Sequence, residues 1–504
     1  MNEELHYDVI VVGAGNAALS AALAALEQGA RVGILEKAPR TERGGNSTLT
    51  GHMRFAYNSV EDLAALIRDP SPHDIGRMAD ELPRRTQADL WDELMRVTDN
   101  QSDQDMLQIH VSESYATVRW LASKGHDWVP SFANRTTGNI VSMNGGGYGL
   151  QERNFAYVSG AGGVVHYETS ATELLHDGRG VMTGVRALTP DGFVNFHAAS
   201  VVLACGGFEG NAEMRARYLG QRWDTVRMRG VPFNTGDGLR MALDIGAMPY
   251  GSWTTCHASP QDIDRPLSSL PSSMVSGHYQ EWNRYMYPYS IMVNSLGQRF
   301  VDEADDIRAL TYAKMGRSIL AQPGGIAFQI MDAKVRRLGL YPPGYDRATG
   351  ARADTLEGLA DQLAIDASGL VATVQEFNAS VPGDRTAVPN PFHRDGVATL
   401  GLAIPKSNYA MTIGEPPFEG FAVRCGITFT FGGLRIEPRT GQVQHVAGRP
   451  IGGLFAAGEM VGGLFHGNYA SGSGMMAGAT WGRIAGVHAA RAALEFTNRL
   501  TLEV

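Results

Sequence analysis

The sequence predicts a mixed α/β fold in two parts: a parallel-sheet unit assembled from both ends of the chain, and an α+β segment inserted between them. Three observations predict it. Residues 7–36 read strand, glycine turn, helix, strand. After Gly420 a glycine-rich strand–turn–helix rhythm returns. Between about Ser259 and Pro417 that rhythm fades while proline and tyrosine rise, with proline-rich joints at Pro260–Pro271 and Pro405–Pro417. The expected division is therefore residues 1–258 with 418–504 as one domain and 259–417 as the other.

The first element is the apolar, β-branched run Tyr7–Val12, followed by Gly13-Ala14-Gly15-Asn16-Ala17-Ala18 and an alanine-rich helix to about Gln28. Gly29 stops the helix, and Arg31–Leu35 is a second strand ending at Glu36 and Lys37. This is a Rossmann-like βαβ unit with a G-x-G-x-x-A turn. Gly13 makes the tight turn, Gly15 lets a pyrophosphate approach the backbone, and Ala18 lets helix and strand pack closely. The helix N-terminus then faces the phosphates, and Glu36 can accept hydrogen bonds from a ribose diol. The loop Gly44-Gly45-Asn46-Ser47 offers backbone N–H groups and hydroxyls to the same ligand.

Residues 59–124 show an amphipathic helical pattern. Strand-like sequence resumes at 160–175. Val181–Leu188 and Phe193–His197 read as a hairpin about Asp191-Gly192, and Ser200–Ala204 as a buried strand ending in Gly206-Gly207. Thr235-Gly236-Asp237-Gly238 opens a further helix. Near the end, Leu454–Ala457 leads into Gly458-Glu459, and Gly472-Ser473-Gly474 opens a small-residue helix from Met475.

Composition excludes several classes. The net charge is −9 with no Lys/Arg block, so no nucleic-acid partner is expected. The three cysteines are scattered and form no disulfide framework, metal site or iron–sulfur ligand set. No apolar run approaches the roughly 20 residues of a transmembrane helix, and the acidic start lacks a signal-peptide layout. The expectation is a soluble cytoplasmic protein. Glycine is the outlier: 61 of 504 residues, where ordinary usage of roughly 7 % would give about 35. Its clusters are expected to serve as a cradle for one large cofactor.

The pieces VVGAGNAALSAA, GGNS, ACGGF, TGDGLRMA, VNSLGQRFVDE, FTFGGLRI, LFAAGE and WGRIAG, in that order over nearly the whole chain, resemble the flavoprotein family of fumarate reductase and succinate dehydrogenase. GGNSTLTGHMRF, ITFTFGGL and GNYASGSG are most similar to its tricarballylate dehydrogenase branch. The resemblance implies an FAD-binding domain interrupted by a mobile cap. Substrate would lie between them and exchange H2 across a carbon–carbon bond next to a carboxylate or carbonyl, with hydride passing to or from flavin N5. It assigns Ala171, Ala204 and Asp237 to the FAD side. Asn46 stands where some members carry the histidine that attaches FAD, so noncovalent FAD is implied.

On the substrate side, the resemblance puts the proton-handling arginine at Arg308 and the carboxylate-binding histidine at His257. Free guanidinium does not titrate, so Arg308 either works with a relay such as Asp305 or Asp306 or clamps a carboxylate. Phe429 and Tyr469 replace the histidine and arginine with which fumarate-reducing members hold carboxylate. Bidentate binding is lost there, and fumarate is disfavoured. Arg284 and Tyr285, in an aromatic stretch of the cap, are further expected wall residues. The reading favours desaturation or reduction of a tricarballylate-like polycarboxylate. Ketone or enone dehydrogenation of the ketosteroid type, a flavin oxidase or monooxygenase, and a non-catalytic FAD module are the alternatives. No second dinucleotide fingerprint exists, so a small-molecule substrate and a separate electron acceptor (quinone, oxygen or a redox protein) are expected.

Overall fold

The expected βαβ start forms: Val9–Val12, helix Asn16–Glu27 and Val32–Leu35. In the computed structural model, which describes residues 5–82, 85–130, 141–268, 270, 280–342, 344–383 and 388–502, these two strands pair in parallel, Val9 beside Val32 and Val12 beside Leu35. Ser200–Leu203 joins on the other side of Val9–Val12, and Pro450–Ala456 lies outside it, again parallel. Val164–His166 completes the parallel run beside Val32–Leu35, and Gln442–Gln444 closes the opposite edge antiparallel. The inner strands are buried on both faces, which is why they read as continuous apolar runs rather than alternating ones.

The two chain ends meet on one face of this sheet. Helix Ser473–Leu502 packs along Asn16–Glu27. A Cβ at Gly482 would come within 2.4 Å of the Ala17 carbonyl, and one at Gly486 within 2.2 Å of the Ala21 carbonyl. Part of the C-terminal glycine cluster thus serves helix contact rather than the cofactor, a correction to the expectation that every cluster faces the ligand. The run Gly-x-x-x-Gly brings helix backbones together as readily as it frees a turn.

The expected hairpin is present as Met182–Thr189 and Gly192–His197, with Ser170–His176 as third strand. The helical stretch resolves into Val60–Ala64, Pro72–Glu81, Gln87–Val97 and Gln104–Ser123.

A second sheet is organised on the 17-residue strand Phe418–Leu434. Its first part pairs with Ile326–Met331 and Gly350–Ala353 of the inserted segment. Its whole length from Val423 runs antiparallel to Pro249–Asp262. Residues 258 and 259, between which the sequence puts a domain seam, are consecutive in that strand. Composition records where the glycine rhythm fades, and a hydrogen-bond ladder need not break there. Pro271 of the first joint lies outside the described residues. Among the described residues no helix is long and apolar enough to cross a membrane.

Candidate active site

A cavity of about 520 Å³ opens at the C-terminal ends of the parallel strands, where open α/β sheets bind ligands. One end is the expected cradle. Gly13, Gly15, Asn16, Ala17, Glu36, Lys37, Gly45, Asn46, Ser47, Ala171, Ala204, Gly206, Asp237, Gly458, Glu459, Gly472, Gly474 and Met475 all line it. Ala18, Gly44, Gly207 and Ser473 do not line it but shape the backbone that does. Gly207, for instance, lets Thr430 and Glu459 approach to where its Cβ would stand.

Asn16 ties three segments together. Its backbone N–H donates to Ser47 Oγ at 2.9 Å, and its Nδ2 donates to the Met475 carbonyl at 2.8 Å. The start of the first helix, the Gly44-Gly45 loop and the last helix are thereby held around one space. The Gly15 N-cap has no side chain to cap the first helix, and with the Asn16 N–H given to Ser47 Oγ it is the N–H groups next in that first turn that can face an anion. A Cβ at Gly45 would meet nothing closer than Gly15 Cα at 4.0 Å. The loop surface is therefore open toward the cavity, and Asn16 Oδ1 is buried there without a hydrogen-bond partner. Burial pushes the Glu36 carboxyl up to about 7 despite the Ala38 N–H that it accepts at 2.7 Å. Lys37 pairs with Asp237 at 2.8 Å. An open glycine surface, an uncapped helix and a buried acid at the end of the second strand suit the pyrophosphate and ribose of FAD.

Asn46 makes three of the four hydrogen bonds its amide can form. Its Nδ2 donates to Glu209 Oε1 at 2.7 Å and to the Thr428 carbonyl at 2.8 Å, and its Oδ1 accepts from Val231 N–H. Asn234 Nδ2 also donates to Glu209 Oε1, at 2.6 Å. Glu209 in turn shares a buried hydrogen bond with Glu459, which accepts from Thr430 N–H and Oγ1. Two carboxyls meeting out of water cannot both ionise cheaply, and burial with the neighbouring Glu209 holds Glu459 well above the usual carboxylate range. Glu209, Asn234 and Thr430 were not legible as site residues.

The other end of the cavity is lined by His52, Arg229, His257, Asn283, Tyr285, Arg308, Tyr312, Thr428, Phe429, Tyr469 and Ser471. Sequence reasoning missed His52, Arg229 and Tyr312. Strand pairing puts His257 opposite Phe429. The 3₁₀ turn Arg308–Leu310 is tied to the C-terminal loop, where Ser471 N–H donates to the Ala309 carbonyl and Asn468 Nδ2 to the Leu310 carbonyl, both at 2.8 Å. Arg308 and Tyr469 thus reach one space through hydrogen bonds between segments some 160 residues apart.

The Arg308 guanidinium stands 5.1 Å from the Tyr285 ring centre and 5.4 Å from that of Tyr312. The expected relays are engaged elsewhere: Asp306 pairs with Arg96 and Asp305 with Lys314. The His257 ring packs against Tyr312 at 4.7 Å and Tyr469 at 5.0 Å. Its Nε2 is buried without a hydrogen-bond partner. Burial, reinforced by Arg229, holds His257 well below the ordinary imidazole range, so it is neutral. His52, pushed down to about 3 by burial and then by Arg54 and Arg308, is neutral too. The expectation for Arg284 is corrected. It does not line the cavity but is buried against Asp262, with Nη2–Oδ2 at 2.7 Å, because a fully dehydrated carboxylate needs a cation.

Residues 8–475 match the family model of an FAD binding domain. The chain is 28 % identical over 497 residues to the probable fumarate reductase Ifc3 of Shewanella frigidimarina, covering 97 % of this chain and 75 % of that protein. It is 30 % identical over 359 residues to a 3-oxosteroid 1-dehydrogenase of Mycobacterium tuberculosis, covering 66 % of this chain and 60 % of that one. The open conformation of a flavocytochrome c3 fumarate reductase superposes with a TM-score of 0.71 at 27 % identity, over 98 % of this chain and 79 % of the other. With a cradle that fits FAD and a second set of polar and aromatic groups beside it, the chain belongs to the FAD-binding family of fumarate reductase-like flavoproteins and is an FAD-dependent oxidoreductase.

Proposed function

We propose that the protein desaturates, or in reverse reduces, the Cα–Cβ bond of a tricarballylate-like polycarboxylate, using noncovalently held FAD. One observation carries the reading. Arg308, His257 and Tyr469, drawn from three distant segments, face a single space that continues into the flavin cradle. Bound FAD supplies the two-electron hydride chemistry. The chain's own groups bind and orient. Arg308 meets a carboxylate as a permanent cation, and neutral His257 offers Nε2 to an oxygen of the substrate. Tyr285, Tyr312 and Phe429 exclude water around the reacting carbons, which strengthens each charged contact. Residues 259–417, which carry Tyr285 and Arg308, act as the cap. Noncovalent binding is supported by Asn46, an amide committed to three hydrogen bonds. Electrons leave to a separate acceptor: a quinone, oxygen or a redox protein.

The test is anaerobic mixing of the holoenzyme with a panel of polycarboxylates. Bleaching of the flavin by tricarballylate, or reoxidation of reduced flavin by an unsaturated tricarboxylate, is the expected result. No spectral response to any polycarboxylate in either direction overturns the reading.

A ketone or enone substrate is the second reading, favoured by Tyr469. Its hydroxyl accepts the Gly474 N–H at 3.0 Å at the start of the last helix, which suits a phenol that stabilises an enolate. Flavin bleaching by cyclic ketones and not by carboxylates decides for it. Peroxide formation without added acceptor would identify the oxidase alternative.

A further inference from the structure

We propose that Arg96, which does not line the cavity, is a positioning residue for the reaction: through Asp306 it sets the turn that carries Arg308. This rests on the reading in which Arg308 meets the substrate, and it names what holds that guanidinium in place.

Helix Gln87–Val97 is a firm support. A capping box between Thr86 and Asp89 closes its start. Leu90, Leu94 and Val97 are buried, and the helix packs against Gln104–Ser123. Glu93 and Arg96, three residues apart, share an adjoining face. Each holds one of the two segments that meet beside Arg308. Glu93 Oε1 accepts from Arg54 Nη1 at 2.9 Å, and Arg54 Nε donates to the Ser471 carbonyl, also at 2.9 Å. Arg96 pairs with Asp306, two residues before Arg308. Ser471 N–H donates to the Ala309 carbonyl at 2.8 Å and so joins the two arms. A closed ring results. It runs from the helix through Asp306, the Arg308–Leu310 turn, Ser471 and Arg54 back to the helix.

Asp306 fixes backbone as well as charge. Its side chain is only 10 % exposed, and its Oδ1 accepts from Ile307 N–H at 2.7 Å. Ile307 is the residue from which the 3₁₀ turn starts, and its carbonyl accepts from Leu310 N–H at 2.9 Å. A carboxylate so withdrawn from water needs a cation. Arg96 supplies it by direct contact, while Arg394 Nε stands 4.0 Å away. Because the Arg96 side chain is half-exposed, the pair adds little to global stability. Its effect is local. It holds Asp306, and through Ile307 it holds the point from which the Arg308 side chain enters the cavity.

Two measurements on the holoenzyme test this, comparing the wild type with Arg96→Gln and Arg96→Lys. The first needs no substrate. Hydrogen exchange read by mass spectrometry should be faster in R96Q by at least roughly fivefold for peptides covering 303–312. R96K should recover part of the protection, and peptides covering 8–36 should be unchanged. Unchanged exchange over 303–312 in R96Q overturns the assignment. The second is the dissociation constant of tricarballylate, from the flavin difference spectrum, in a double-mutant cycle with Arg308→Gln. R96Q should weaken binding by roughly tenfold, the scale of a lost charge-assisted contact, and should cost nothing further once Arg308 is replaced. A merely structural role would cost the same in both backgrounds, so additive losses, or no loss in R96Q, overturn the assignment. A wild type that does not bind tricarballylate overturns the polycarboxylate reading, and hydrogen exchange then decides the assignment by itself. If R96Q fails to retain FAD, Asp306→Asn replaces it in both measurements, with the same outcomes deciding.

Discussion

The hydroxyl of Tyr469 accepts a hydrogen bond from the backbone N–H of Gly474 at 3.0 Å, at the start of the last helix. Burial raises the phenol, while the Gly474 and Gly472 N–H groups pull it back down. Burial is the larger influence, so Tyr469 lines the cavity as a protonated phenol.

Replacing Tyr469 with phenylalanine removes that donor and leaves the ring contacts with His257 and Phe465 in place. Turnover should fall roughly 10²-fold, the cost of a lost preorganised donor, with FAD content unchanged. Steady-state kcat on the substrate found by flavin bleaching checks this.

Glu36 makes flavin-free protein pH-sensitive. Its carboxyl is raised from 4.5 to about 7 by burial, so the folded chain holds a proton that the unfolded chain has lost. Stability from this group is complete below pH 4.5 and is lost as pH rises through 7, by roughly 3 kcal/mol in all. His52 runs the opposite way. Lowered to about 3, it contributes stability above about 6.5 that is lost as pH falls toward 3. Thermal unfolding of flavin-free protein between pH 5 and 8 should show a shallower decline with rising pH in Glu36→Gln than in the wild type.

Arg284→Met should unfold the protein rather than alter its selectivity. It strands Asp262, whose side chain is wholly buried. Breaking a buried pair from one side costs about 3–5 kcal/mol, and denaturant titration of the holoenzyme measures it.

Gly482→Val forces a side chain into the Ala17 carbonyl, 2.4 Å from its Cβ. The first and last helices must part, and Asn16 then loses its grip on the Met475 carbonyl. A loss of about 1–3 kcal/mol with weakened FAD retention is expected, read by melting temperature and by flavin content after gel filtration.

Acid precipitation of the holoenzyme should leave all the yellow colour in the supernatant, because Asn46 offers no nucleophile at the flavin edge. Flavin fluorescence in the pellet after proteolysis would contradict this.

The cradle was legible because its parts are local. A strand, a G-x-G-x-x-A turn and a helix lie within 30 consecutive residues, and backbone conformation there depends on the neighbours in sequence. His257, Arg308 and Tyr469 were legible only through resemblance of short motifs. Arg229, His52 and Tyr312 carried no signal, since a single arginine in Val226-Arg227-Met228-Arg229 looks like any solvated cation. Glu209 was equally silent: nothing in GGFE reveals that its carboxyl meets that of Glu459.

What the sequence by itself determined is therefore the parallel core, the convergence of both ends on one cofactor, and the family. Apolar periodicity and glycine spacing are enough to specify the first two, and the family follows from the resemblance of short motifs along the chain. The tertiary structure alone decided which charges share a cavity. Arg284 and Arg229 look alike in sequence, yet one is consumed by a buried aspartate and the other faces the ligand space. That difference rests on the pairing of Pro249–Asp262 with Phe418–Leu434. It carries Asp262 away to Arg284 and His257 to the cavity, within a single strand.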